Sequence, residues 1–116
     1  MFSHQTSTGY QPLIAGIRIK TLCYGQSTLM AEFHLEKGAL LPEHAHFHEQ
    51  TGYLVKGKIR FFIDGVSREL SDGDSWNVPG NISHRVEILE DSVAIEVFSP
   101  VRQDYLPYLS VENQNQ

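Results

Sequence analysis

The chain has 116 residues, 41% of them hydrophobic and 20% charged, which is the size and composition of one globular domain and argues against disorder. Its formal net charge of −5 argues against non-specific nucleic-acid binding, which requires a basic surface. One cysteine excludes a disulfide framework within the chain. Without an apolar run of ~18 residues or a leader-like N-terminus, we expect a cytoplasmic protein that does not enter the membrane.

Most of the chain alternates polar and apolar residues with period two, which predicts β-strands rather than helices. The dipeptide Asp64-Gly65 predicts a tight hairpin, because glycine accepts positive φ. Residues 90–92 are expected to connect a second hairpin near the end of the chain. In chain order the predicted strands are 15–24, 27–35, 51–55, 59–63, 66–70, 75–78, 85–89 and 93–98.

This series of short strands predicts an antiparallel sandwich or barrel. Neither an internal repeat nor a linker divides the sequence, so we expect a single domain over residues 1–116. The polar end of the chain, residues 110–116, is expected to be frayed.

Histidines carry the strongest chemical signal in the sequence. Residues 44–50 read His-Ala-His-Phe-His-Glu-Gln, and two residues in a strand that are two positions apart share a face. His44 and His46 can therefore point into one cavity, while His84 follows a turn on a separate strand. Neutral imidazole is the commonest protein ligand of divalent transition metals, so this pattern predicts a metal site.

The spacing of these residues resembles the two motifs of the cupin family. The first motif runs from Gly38 to Gly57, with Gln50 where the family usually has glutamate. The second runs from Gly73 to His84, with Asn81 where the family usually has glycine. Asparagine also tolerates positive φ, so the turn can be kept. The resemblance implies an all-β, double-stranded β-helix (jelly-roll) barrel with one divalent metal, Zn, Ni, Fe or Mn, in its mouth.

The ligand set that the resemblance implies is His44, His46, Gln50 and His84. His48 competes with Gln50 for the fourth place, because it shares strand parity with the two preceding histidines. A bend expected between the two strands of the motif weakens that parity argument.

Two residues after the second motif are candidates for catalysis. In the strand 93–98, parity puts Ala94, Glu96 and Phe98 on one face. If that face is internal, Glu96 becomes a candidate general acid or base beside the metal; if it is external, the carboxylate is solvated or ion-paired. Arg102 either reaches the mouth and binds a substrate carboxylate or is a surface arginine.

A closer resemblance, carried by residues 44–53, 74–84, 90–93 and 98–105, is to the pectin-degradation cupins, which linearise 4,5-unsaturated uronates. It implies three histidines and a glutamine as ligands. The family's catalytic Asp, Phe and Arg fall on Glu96, Phe98 and Arg102, so this chain has glutamate in place of aspartate. Tyr53 and His48 are expected to contact the substrate, a carboxylated sugar. The alternatives are an Fe-dependent dioxygenase and a non-catalytic sugar- or metabolite-binding cupin.

We also expect a homodimer formed through a face of the sheet. Apolar side chains of Tyr53, Val55, Ile95 and either Phe61 or Phe62 must point outward, and a small barrel usually covers such a surface with a partner.

Overall fold

Two long strands form the spine of the barrel in this computed structural model, which describes residues 1–110. They are numbered β5 and β8 in chain order, and shorter strands pair on either side of them. The strands are β1 (Gln11–Ile14), β2 (Ile17–Tyr24), β3 (Leu29–Leu35), β4 (Leu40–His44), β5 (Glu49–Ile63), β6 (Val66–Ser71), β7 (Ser75–Val78) and β8 (His84–Ser99), followed by a short 3-10 helix (Gln103–Tyr108).

The sheet has the order β1-β2-β3-β8-β5-β6, with β4 also paired to β8 and β7 to β5. The β5–β8 pair is antiparallel from Glu49↔Ser99 to Ile63↔His84. The first part of β5 pairs with β7 and the second part with β6, so each long strand takes part in both halves of the barrel. The predicted all-β jelly-roll is confirmed.

The predicted hairpin around residues 90–92 is wrong, because β8 runs through this segment without turning back. The predicted strands 51–55 and 59–63 are likewise one strand, β5. The β5–β8 register shifts between Leu54 and Ile59, which identifies bulges rather than turns. Ser92 satisfies the displaced backbone there: its hydroxyl accepts a hydrogen bond from the Lys58 N–H (3.0 Å) and donates one to the Glu90 carbonyl (2.7 Å).

Two turns adopt the predicted conformation. Asp64 and Gly65 both have positive φ, 50° and 78°, as the tight hairpin between β5 and β6 requires. Asn81 has φ of 66°, so it replaces glycine in its turn as expected.

Strand β1 and the 3-10 helix were not predicted. Ser110 is buried, and the rest of the predicted tail, 111–116, lies outside the described residues.

Alternating residues of the strands point inward and form one apolar core. On β8, Ala94, Glu96 and Phe98 are all buried, so the parity predicted for this strand is confirmed. Outside the barrel, Tyr53 and Val55 on β5 are about half exposed, and the homodimer stays a prediction. Among residues 1–110 the structure contains no helix with the length and apolar character needed to cross a membrane.

Replacing Gly57 with alanine should destabilise the fold more than the same change at Gly65. Both glycines have positive φ, at 115° and 78°, where a Cβ costs about 1–2 kcal/mol. A Cβ at Gly57 would also overlap the Ser92 side chain, adding about 1–3 kcal/mol of overpacking, whereas one at Gly65 would meet open space. Urea unfolding of the two variants measures the difference, and equal free energies of unfolding would contradict the close packing of β5 on β8.

Candidate metal centre

Three histidines, two from residues 44–46 and one from the start of β8, come together in the barrel. His44 ends β4, His84 begins β8, and the two are register partners. The candidate ligand atoms of His44, His46 and His84 lie within 4.8 Å of one another, so this histidine cluster could hold a metal ion. The expectation that His44 and His46 share one strand is wrong, because β4 ends at His44. His46 lies in the following loop, where its carbonyl accepts a hydrogen bond from the Asn81 N–H at 2.7 Å.

Backbone carbonyls fix the orientation of all three rings. The Nδ1 atom of each ring is within hydrogen-bond distance of a carbonyl oxygen, which only accepts, so Nδ1 donates. In a neutral ring the lone pair is then on Nε2. The pairs are His44 with Pro42 (2.8 Å), His46 with His48 (3.0 Å) and His84 with Ile82 (2.9 Å).

The polar atoms at the centre of the cluster fit a bound cation. Burial lowers the pKa of His84 to about 4 and also lowers the pKa of His46, so both rings are neutral at pH 7. His84 Nε2 is buried and has no hydrogen-bond partner among the described residues. His46 Nε2 lies 3.1 Å from Gln50 Oε1, and in this tautomer both atoms are acceptors. A divalent metal would satisfy these lone pairs together.

The side chain of Gln50 links the histidine cluster to a buried carboxylate. While its Oε1 faces His46, its Nε2 donates a hydrogen bond of 2.6 Å to Glu96 Oε1. The indole N–H of Trp76 donates to the same oxygen at 2.7 Å. Burial raises the pKa of the Glu96 carboxyl, and the two hydrogen bonds together with the charge of Arg102 act in the opposite direction.

Arg102 brings a positive charge to this cavity, which it lines together with His44, Gln50 and Glu96. Its guanidinium donates two hydrogen bonds to the Asp104 carboxylate, at 3.1 and 2.9 Å. It also lies over the rings of Tyr105 and Phe98, 3.9 and 5.1 Å from their centroids. Its side chain is only 14% exposed, so the charge is held in place.

His48 and Tyr53, the two other residues predicted to contact the substrate, lie in different surroundings. His48 is buried and stacks on Phe47 with ring centroids 3.9 Å apart, outside the histidine cluster. Gln50 rather than His48 thus lies against the cluster. Tyr53 does not reach the cavity, because it alternates outward from Gln50 along β5 and is half exposed.

Trp76 is the site residue that the sequence analysis missed. It is buried on β7 and lines the cavity. Alternation with the apolar Val78 in the same short strand was the available signal for an inward-facing indole.

Comparison with known proteins agrees with this fold. The Cupin domain family matches residues 31–99, and the chain therefore belongs to the cupin family. It is similar to the pectin degradation protein KdgF of Dickeya dadantii (strain 3937), with 36% identity over 101 residues that cover 85% of this chain and 92% of that protein.

Two solved structures resemble the whole barrel. KdgF from Halomonas sp. matches with a TM-score of 0.87 and 31% identity, over 91% of this chain and 98% of that one. An RmlC-like cupin from Shewanella frigidimarina NCIMB 400 matches with a TM-score of 0.86 and 30% identity, over 90% and 95% of the two chains.

Replacing His84 with alanine should remove most of the affinity for a divalent metal. We expect a loss greater than the roughly 10- to 100-fold typical of an outer-shell partner, because a ligand atom itself is deleted. Calorimetric titration with Zn²⁺ and elemental analysis of the purified protein measure the effect. His4→Ala, at an exposed histidine, is the matched control; equal affinities of the two variants would contradict the proposed metal site.

Proposed function

We propose that this protein is a metal-dependent enzyme that opens the ring of 4,5-unsaturated uronates released during the breakdown of uronate polysaccharides. The observation that carries the proposal is the position of Gln50, whose amide oxygen faces the histidine cluster and whose amide nitrogen donates a hydrogen bond to the buried Glu96, in a cavity that Arg102 also lines. The identity of 36% with a pectin degradation protein supports the same substrate class.

The four residues that would hold the metal are His44, His46, His84 and Gln50. When bound, the ion would supply Lewis-acid polarisation of the sugar oxygens. Because ring opening requires no change of oxidation state, Zn²⁺, Ni²⁺, Fe²⁺ and Mn²⁺ are all compatible with the proposal.

Glu96 is the proposed proton-transfer group. Its carboxylate would accept the proton of the anomeric hydroxyl while the anomeric C–O double bond forms and the bond to the ring oxygen breaks. The ring oxygen leaves as an enolate and takes the proton back from Glu96, which regenerates the carboxylate. The resulting enol becomes a ketone when its hydroxyl proton is lost and a proton is added at C4. The reaction is an isomerisation, so atoms and electrons balance. The hydrogen bonds from Trp76 and Gln50 favour the ionised carboxylate that the first step needs.

Arg102 and Phe98, which both line the cavity, are the proposed substrate-binding residues. The guanidinium uses Nε and Nη2 to bind Asp104, which leaves Nη1 as a donor for the substrate carboxylate. Phe98 would pack against the sugar ring. The Asp104 carboxylate holds Arg102 in one orientation, so less conformational entropy is lost on binding.

Glu96→Gln should return the rate of ring opening to the spontaneous rate. The amide keeps the size of the side chain but does not accept a proton, and loss of a general base costs about 10²- to 10⁴-fold. The assay follows the ultraviolet absorbance of the C4=C5 bond of 4,5-unsaturated galacturonate in the presence of metal-loaded protein. A chelator should have the same effect, whereas Glu90→Gln, an exposed glutamate on the same strand, should retain activity.

If the substrate is lost no faster with metal-loaded protein than in buffer alone, the ring-opening proposal is wrong. Oxygen uptake in the presence of small organic substrates would then test the dioxygenase alternative, and ligand-binding screens would test the non-catalytic one.

Arg102→Lys should raise KM for the unsaturated uronate with a smaller effect on kcat. Lysine keeps the charge but loses the planar fork that binds Asp104 and a second carboxylate together. Loss of a hydrogen bond to a charged group corresponds to roughly 10- to 100-fold in KM. Arg85→Lys, on the outer surface of β8, is the matched control. An unchanged KM in Arg102→Lys would remove Arg102 from the substrate site.

A further inference from the structure

We infer that Trp76 is a positioning residue that fixes the Glu96 carboxylate and leaves one of its oxygens open to the substrate. The kinetic part of this inference rests on the proposed function. The contact between the two side chains stands independently of it.

Both hydrogen bonds that Glu96 receives from the described residues end on the same oxygen. Trp76 Nε1 and Gln50 Nε2 donate to Oε1, at 2.7 and 2.6 Å. Oε2 therefore keeps its lone pairs for the proton of a substrate hydroxyl. Since the indole N–H only donates and the ring is buried, this contact holds the carboxylate against rotation about its terminal bond.

Register across three adjacent strands brings Trp76 to Glu96. Gly52 of β5 is the register partner of Trp76 on β7 and also of Glu96 on β8, so it lies between them. A Cβ at Gly52 would overlap the indole ring. Because Gly52 has no side chain, the indole can lie across β5 and reach the carboxylate two strands away.

The indole is also fixed from its other side. Trp76 is 8% exposed and packs against Phe61, with ring centroids 5.3 Å apart. Phenylalanine at position 76 would keep an aromatic ring in this space and remove the N–H donor. The two roles, filling the core and orienting the carboxylate, can thus be separated by one substitution.

The contact can be measured without substrate, because Trp76 is the chain's one tryptophan and gives a single indole N–H resonance. In ¹⁵N-labelled protein, Glu96→Ala should move this resonance upfield and speed its exchange with solvent. Gly52→Ala should do the same by displacing the ring. Glu90→Gln, at an exposed residue of β8, should leave it unchanged. A resonance that does not respond to Glu96→Ala would overturn the inference.

The kinetic test uses Trp76→Phe with 4,5-unsaturated galacturonate. We expect kcat to fall roughly 10- to 100-fold, the range for loss of an orienting partner, while KM and metal content stay unchanged. If Trp76 only filled the core, Trp76→Phe would lower thermal stability and would not lower kcat selectively over KM. Wild-type kcat in Trp76→Phe would overturn the positioning role. If the wild-type protein does not open the ring at all, the proposed function fails, and the indole resonance alone decides whether Trp76 holds Glu96.

Discussion

The arrangement of the site depends on the burial of one carboxyl group. Glu96 lies inside a barrel whose lining is otherwise mostly apolar, and an ionised group in such surroundings needs hydrogen-bond donors. Trp76 and Gln50 supply them. Once the amide nitrogen of Gln50 donates to Glu96, the amide oxygen is directed at His46, whose ring is held from behind by a backbone carbonyl. The need to satisfy Glu96 thus orients side chains as far as the histidine cluster.

The scaffold makes this possible through the register of its two long strands. Gln50 and Gly52 near the start of β5 are paired with Phe98 and Glu96 near the end of β8. A slip of β8 by one residue would turn Phe98 and Glu96 to the opposite face of the sheet. The bulges beside Ser92 lie between this end of the strands and the His84 end, and they let the same two strands bend and contribute to both halves of the barrel.

Local patterns in the sequence predicted the features that depend on local geometry. Alternation along β8 predicts that Glu96 shares a face with Ala94 and Phe98, and their burial identifies this face as the inner one. The tolerance of asparagine for positive φ predicts the turn at Asn81. The polar segment around Ser92 predicts a turn, but turns and bulges both carry polar residues, and only the pairing of β8 with β5 distinguishes them. Tyr53, a predicted substrate contact, points outward because it lies three residues after the inward-facing Gln50 on the same strand. The contact of Trp76 with Glu96 could not be predicted, because it depends on the register of three strands and no local sequence pattern specifies that register.

The same network gives a physical reason for glutamine at position 50. A glutamate there would bring a second carboxylate against Glu96, in a place where the structure has a hydrogen bond of 2.6 Å. Two buried carboxylates at that distance do not both ionise, so one would bind a proton and lose its value as a base or as a ligand. The amide avoids this conflict because one end donates and the other accepts. Positions 50 and 96 are therefore coupled, because an ionised Glu96 requires a neutral donor beside it. A neutral oxygen beside the histidines also preserves more of the charge of any cation held there, which favours Lewis-acid chemistry.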